Sequence, residues 1–232
     1  MVPQMEELAV TVVYVHVMNS QPYADLAGRF VHTYNAYPPG YPHRSVIVCN
    51  GASANEDTAQ MFKPLPRIQF LEHDNGGKDI GAFQKAAREV PCELMVFFGA
   101  STYLRRAGWL ARMVETYQRY GPTLYGSTAN RGMPQIHVYP HIRTTAFWTP
   151  PELMNLYPHR VTRDDQRYPF EHGRNCFTDW VARNGMVPLL VSWQGEYAWE
   201  QWDSVPNGYH RGDQSNVLVG DRLTAAPYYH TP

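Results

Sequence analysis

The sequence predicts an α/β fold with one mostly parallel central sheet flanked by helices. Four short apolar runs carry the prediction: residues 9–17 (AVTVVYVHV), 45–50 (SVIVCN), 67–72 (RIQFLE) and 93–99 (ELMVFFG). They are continuous rather than alternating, as strands covered on both faces should be. Helical patterns separate them at residues 24–34, 55–62 and 79–89, the last stopped by Pro91. Strands alternating with helices over short turns imply right-handed crossovers and a common strand direction.

Beyond Gly99, WLARMVETYQRYG (residues 109–121) reads as an amphipathic helix with a glycine stop, and TLYGST as a short strand. Residues 133–168, rich in Pro, His, Arg and Tyr, read as irregular apart from one helix signal, PPELMNLY. Long loops of this kind usually serve as lids or binding insertions. NCFTDWVARNG (residues 175–185) is a further helix and VPLLVSW a strand. The tail from residue 194 is irregular except for DQSNVLVGDRL, where Asp213 suits the cap of a helix starting near Gln214.

At 232 residues, with 44% apolar and 18% charged residues, the chain fits a single globular domain spanning 1–232. A formal net charge of -1 gives no overall electrostatic footprint for nucleic acid or anionic membrane. Cys49, Cys92 and Cys176 lie far apart and read as reduced and buried, which implies a cytoplasmic compartment. The N-terminal segment lacks a basic region ahead of its apolar run, as a signal peptide would require. No apolar run reaches the roughly 18–20 residues of a membrane span.

Three polar clusters follow predicted strands: Asn50-Gly51-Ala52-Ser53, residues 73–78 (HDNGGK) and Gly99-Ala100-Ser101-Thr102. In a parallel sheet these share one edge, where ligands bind. Asn-Gly and Gly-Gly let backbone N–H groups approach a ligand, and the helix start at Asp79 presents a positive dipole end. Each alone reads as an ordinary strand-to-helix turn; the three together point to a site.

The order CNGAS, NGGKDIGA, FFGAS, GWLARM, FEHGRN, WVARNG, VPLLV resembles GT-A-fold glycosyltransferases of the family-2-like kind, which have a Rossmann-like nucleotide-diphospho-sugar transferase fold. The resemblance covers roughly residues 9–193. It implies a nucleotide-sugar-binding half at about 1–102 and an acceptor-binding, catalytic half at about 103–232. On this resemblance Val17 and Asn19 of HVMNS, Asn50 after the second strand, and Asn75, Gly77, Lys78 and Asp79 line the donor pocket. Asp79 would accept hydrogen bonds from base or ribose, and Lys78 would face phosphate. Glu171, ahead of a late helix, would be the base of an inverting transfer, with His172 as alternative base, acceptor guide or plain surface histidine.

One departure concerns the metal. The resemblance implies a divalent cation, Mn²⁺ or Mg²⁺, held by an Asp-x-Asp, and Ala100 and Ser101 stand there instead. A hydroxyl does not replace carboxylates around a hard cation. Cations such as Lys78, Arg105, Arg106, Arg143 or Arg211 would then neutralise the diphosphate, or His210 and Asp213 would hold a metal, or activity is lost. Arg143, among apolar residues, is the stronger anion partner, while Arg105-Arg106 reads as a solvated helix start. Asp164-Asp165 reads as solvated, His137 and His141 as loop histidines, and Trp193, Trp199 and Trp202 as core or stacking residues. The expected partners are a nucleotide-sugar donor and a glycan or other hydroxyl-bearing acceptor, with modified nucleic acid open. The alternative is a catalytically degenerate GT-A module that binds nucleotide or glycan without transfer. A nucleotidyltransferase would need acidic metal ligands at strand ends, and these are scarce.

Overall fold

The computed structural model describes residues 7–130, 139–205 and 214–222. The first four predicted strands form within two residues of expectation as β1 (Val10–Val17), β2 (Arg44–Asn50), β3 (Gln69–His73) and β4 (Leu94–Phe98), mutually parallel in the spatial order β3-β2-β1-β4. Their period-2 geometry sends alternate side chains to opposite faces. Val10, Val12 and Tyr14 of β1 join one apolar cluster, and Val13 and Val15 join the other. In β4, Leu94, Val96 and Phe98 oppose Met95 and Phe97 in the same way. That two-sided burial is why these runs are continuous in the sequence.

Helices α1 (Gln21–Ala36), α2 (Glu56–Phe62) and α4 (Trp109–Tyr120) cover the first face through Phe30, Phe62 and Trp109. Helices α3 (Lys78–Glu89), α5 (Pro151–Leu156), α6 (Arg167–His172) and α7 (Phe177–Arg183) cover the second through Phe83, Leu153, Phe170 and Phe177. α1 starts three residues earlier than its apolar spacing suggests, because Pro22 occupies its first turn, where a missing N–H costs nothing. Asn55 caps α2 by accepting the Thr58 N–H at 2.9 Å.

The span 133–168 departs from the expected irregular loop. It contains β9 (Ala146–Thr149), which runs antiparallel between β4 and β6 (Tyr125–Gly126), near the centre of an eight-stranded sheet. Phe147 stacks on Phe97 at 4.7 Å and Trp148 on Tyr125 at 5.6 Å, so these aromatics are core. β10 (Leu189–Val191) pairs parallel with β6, and β11 (Glu196–Tyr197) closes the edge antiparallel.

The tail also differs from expectation. Gln214 begins no helix; Val217 bridges Ser192, and β12 (Val219–Gly220) pairs antiparallel with β5 (Tyr103–Leu104). The β-branched Val217 and Val219 favour extended chain, and the Ser127 hydroxyl accepts the Val219 N–H at 3.1 Å. A second short ribbon joins β7 (Ala129–Asn130) to β8 (His141–Ile142). Cys49 and Cys176 are buried thiols as expected, whereas Cys92 is partly exposed. Among the described residues no helix is long and apolar enough to cross a membrane.

Candidate functional site

The carboxyl ends of β1 to β4 form one edge. The Met18 N–H donates to the Asn50 carbonyl at 3.0 Å and the Gly51 N–H to the His73 carbonyl at 2.8 Å, which ties the first three strand ends together. Val17 is half-buried beside Asn50, and Asn19 adopts a positive φ of 56° on the exposed turn that follows. Asn50 and His73 are register partners, with Asn50 Oδ1 2.8 Å from His73 Nδ1. The Asn75 N–H also reaches that ring nitrogen, at 3.2 Å. A single nitrogen cannot donate to Asn50 and accept from Asn75 in one tautomer. Either way Asn50 keeps one amide atom aimed elsewhere.

Four buried polar atoms at this edge have no hydrogen-bond partner among the described residues: His16 Nδ1 on the α2 side, Arg29 Nε by the turn after β4, Asn50 Nδ2 and Asn75 Oδ1. Buried polar atoms are ordinarily satisfied, and leaving one unmet costs about 1–3 kcal/mol. Others lie elsewhere, among them atoms of Ser45, Trp148 and Asn216, but those at the strand ends stand where a ligand would complete the bonding.

The glycines of NGGKDIGA make room for the chain itself. A Cβ on Gly77 would lie 2.5 Å from the Val161 carbonyl, one on Gly76 2.6 Å from that of Thr162, and one on Gly81 2.1 Å from that of Gly76. They let the chain at 161–162 pass directly over the start of α3. Gln84 fixes that pass by donating to the His159 carbonyl and accepting the Val161 N–H, each at 2.9 Å. Gly77, at φ 69°, precedes Lys78, which is exposed, at φ 53°, and reaches outward from the first turn of α3.

The turn after β4 is held from all sides. The Gly99 N–H and the Thr102 hydroxyl both donate to the Thr145 carbonyl, at 2.8 and 3.0 Å. The buried Tyr14 hydroxyl donates to the Ala100 carbonyl at 2.8 Å, and Arg29 donates to the Ser101 carbonyl at 2.9 Å. Asp79 accepts the Ala100 N–H, and its Oδ2 lies 3.0 Å from where a Gly99 Cβ would stand. Ala100 and Ser101 therefore contribute backbone, and the carboxylate at this turn comes from α3.

Burial pushes the Asp79 carboxyl up to about 6, and the negative charge of Glu171 adds to the rise against Arg167, the Ala100 N–H and Lys78. Glu171 on α6 thus faces the same turn. Its Oε1 accepts the Thr144 hydroxyl at 2.7 Å, and Thr144 adjoins the Thr145 carbonyl that holds Gly99. His172 Nδ1 stands 3.9 Å from Glu171 Oε2, too far for a hydrogen bond, and the His172 ring packs against Tyr168 and His141. Burial lowers the His172 pKa, against the raising effect of Glu171, which favours the neutral ring. A cavity of about 550 Å³ lined by Asp164, Asp165, Arg167, Tyr168, Glu171 and His172 opens beside the carboxylate.

Arg143 is engaged inside the protein. Its Nη1 lies 2.6 Å from Asp221 Oδ2, with both side chains about nine-tenths buried, so the carboxylate of the returning tail neutralises the charge expected to meet an anion. Arg106 stacks over Trp193 at 4.6 Å ahead of α4. Asp164 and Asp165 pair with Arg167 and Arg163, as solvated acids do. His141 is a buried strand residue whose Nδ1 lies 2.6 Å from the Tyr139 carbonyl, rather than a loop histidine. Trp202 is core, while Trp199 is exposed beside it near β11. His210, Arg211, Asp213 and His137 lie outside the described residues. Among the described residues no three His, Cys, Asp or Glu side chains group as a metal site. Sequence reasoning missed Tyr14, Arg29, Thr144 and Thr145, whose roles run through backbone carbonyls and one carboxylate and leave no motif.

No family model matches the sequence, and no curated protein matches it. Among solved structures, HddC from Yersinia pseudotuberculosis aligns at 11% identity and TM-score 0.46, covering 66% of this chain and 82% of that one. The mannosyltransferase PcManGT from Pyrobaculum calidifontis, in complex with GDP-Man and Mn²⁺, aligns at 16% and 0.47, covering 64% and 46%. S. aureus TarS 1-349 in complex with UDP-GlcNAc aligns at 11% and 0.47, covering 64% and 47%. The chain thus spans about half the length of the last two, and at these values the likenesses concern chain path alone.

Proposed function

We propose that the chain transfers a sugar from a nucleotide-diphosphate donor to an acceptor hydroxyl. The observation that carries this reading is that two carboxylates attach to one strand-end turn. Asp79 of α3 accepts the Ala100 N–H, and Glu171 of α6 accepts from Thr144, beside the Thr145 carbonyl that holds Gly99. The unmet polar atoms of Asn50 and Asn75 lie at the same edge. The donor's nucleoside would lie along Val17, Asn19, Asn50 and Asn75, completing those hydrogen bonds, with Asp79 accepting from base or ribose. Gly77 sets the turn that aims Lys78 at the phosphates. Glu171, positioned by the Thr144 hydroxyl, would take the proton from the attacking acceptor hydroxyl while the diphosphate leaves from the opposite side. The acceptor would enter by the Tyr168–His172 cavity. That cavity shares Tyr168 with a neighbouring one of about 490 Å³ lined by Tyr139, Tyr157 and Pro169, whose apolar faces suit sugar rings.

With Glu171 reserved as base, Asp79 alone among the described residues offers a carboxylate to a cation at the turn. Such a site fits a divalent ion that arrives on the donor diphosphate, as Mg²⁺ commonly does, and not a resident metal. The ion's contribution would be to neutralise the leaving diphosphate.

The second reading, a module that binds nucleotide or glycan without turnover, is favoured by the Ala100-Ser101 turn. One experiment separates the two. UDP-, GDP- and dTDP-sugars are assayed for thermal stabilisation and for donor hydrolysis, with Mn²⁺ or EDTA, on wild type and Glu171→Gln. Stabilisation with Glu171-dependent hydrolysis supports transfer; stabilisation with no turnover even with acceptors supports the module. No response to any donor overturns both.

A further inference from the structure

A second cavity lies against α3 and the end of β3. It encloses about 370 Å³ and is lined by His73, Gln84, Lys85, Arg88, Arg160 and Thr162, with Glu72 and Asp74 at its β3 end. On α3, Gln84, Lys85 and Arg88 follow the helical spacing that puts them on one face. The pass at 159–161, locked by Gln84, brings Arg160 to the same cavity.

Three cations, Lys85, Arg88 and Arg160, line the cavity together with the carboxylates Glu72 and Asp74. Lys85 pairs with Glu89 at 2.6 Å. The Asp74 carboxylate accepts the Gly76 N–H at 2.8 Å. Neither Arg88 nor Arg160 has a hydrogen bond or close ion pair with any described residue; burial and then the Arg160 charge weigh against the Arg88 charge, and the Glu89 carboxylate supports it. Arg88 and Arg160 are exposed side chains that line one cavity, and two guanidinium groups so placed form an arrangement that an oxyanion would bridge.

We propose that this cavity is a second anion site, separate from the strand-end site, that takes the phosphoryl group of a small phosphorylated ligand between Arg88 and Arg160. His73 links the two places: its Nδ1 contacts Asn50 and Asn75, and its ring also lines the cavity. The inference does not depend on the transferase reading, because the arginines lie outside the residues assigned to donor and acceptor.

The test is calorimetric titration and thermal shift of the intact chain with inorganic phosphate and with glucose 6-phosphate, at constant ionic strength. Wild type is compared with Arg88→Ala, Arg160→Ala, Lys78→Ala and Lys63→Ala, the last removing an exposed charge elsewhere. The expected result is binding weakened at least about tenfold in each arginine variant and unchanged in Lys63→Ala. Tighter binding of the sugar phosphate than of phosphate would show that the cavity reads more than the anion, and equal binding would confine recognition to the phosphoryl group. The ligand-free Arg160→Ala variant should unfold no more easily than wild type, since it removes a repulsion. No binding by wild type below about 10 mM overturns the site. Binding lost in Lys78→Ala but kept in the arginine variants overturns it too, by moving the phosphate to the strand-end site. Equal loss in Lys63→Ala reduces the effect to net charge and overturns it as well.

Discussion

Asp79→Asn should make the protein more stable, and only where the carboxyl is ionised. The folded environment raises this carboxyl from 3.8 to about 6, chiefly by burial and then by the charge of Glu171. Between those values the folded state holds the proton more tightly than the unfolded chain, so stability falls as pH rises from about 4 to about 6 and stays lowered above. A shift of about two units corresponds to about 3 kcal/mol. Asparagine keeps an oxygen for the Ala100 N–H and removes the charge. It also forfeits an acid in the first turn of α3, which takes back about 0.5 kcal/mol. The net gain at pH 8 is about 2–3 kcal/mol, or roughly 5–10 °C in Tm for a chain of this length. Urea and thermal unfolding at pH 8 and pH 4 measure it directly: the gap between variant and wild type should be present at pH 8 and closed at pH 4. A variant no more stable than wild type at pH 8, or a gap independent of pH, refutes the raised folded-state carboxyl of Asp79. Donor-induced stabilisation should fall in the same variant under the proposed role of Asp79 as acceptor for base or ribose.

Glu171→Gln should lower turnover by about 10²–10⁴-fold while leaving donor-induced thermal stabilisation in place, as steady-state rates beside thermal shifts will show. Gly81→Ala should cost at least about 2 kcal/mol, read from the urea midpoint, because the new methyl meets the Gly76 carbonyl at 2.1 Å and the Val161 carbonyl at 3.0 Å, both backbone. Burial lowers His141 from 6.5 to about 4, so the unfolded chain takes up a proton that the folded state refuses until about pH 4. Stability should therefore fall by about 3 kcal/mol from pH 6.5 to pH 4 on account of this residue, and His141→Gln should flatten that part of the pH profile.

What the sequence made legible follows the physics of each element. β1, β2 and β4 are covered on both faces, and an unbroken run of Val, Ile and Phe has few other uses. β9 was hidden because it is four residues long, lies between basic and proline-rich flanks, and takes its place through cross-strand pairs with Phe97 and Tyr125 that local periodicity does not encode. In the candidate site, Asp79 and Glu171 were visible as acids near strand ends and helix starts, whereas the turn that brings them together depends on carbonyl contacts from Thr145, Tyr14 and Arg29. The glycines of residues 76–81 were noticed for the right reason, close approach, but the approaching group is the chain at 161–162. Arg143 was noticed as a charge needing a partner, and Asp221, 78 residues away, supplies it.

The remaining question at the turn is how a site with Ala100 and Ser101 where the resembled enzymes hold a metal would manage a diphosphate. Asp79 and Glu171 place negative charge beside the proposed phosphates, and Lys78 is the exposed cation of that same segment. Two carboxylates against a diphosphate repel, so binding requires further positive charge in the complex. If a divalent ion supplies it, the ion and the nucleotide must bind together, each weak alone. Mn²⁺ without nucleotide should leave Tm unchanged, and UDP or GDP without metal should shift it slightly. Both together should shift it by more than the sum, and Asp79→Asn should remove that excess while Ser101→Ala leaves it intact. An excess that survives Asp79→Asn would place the ion on other ligands. Full stabilisation by nucleotide in EDTA would mean that protein cations neutralise the diphosphate unaided.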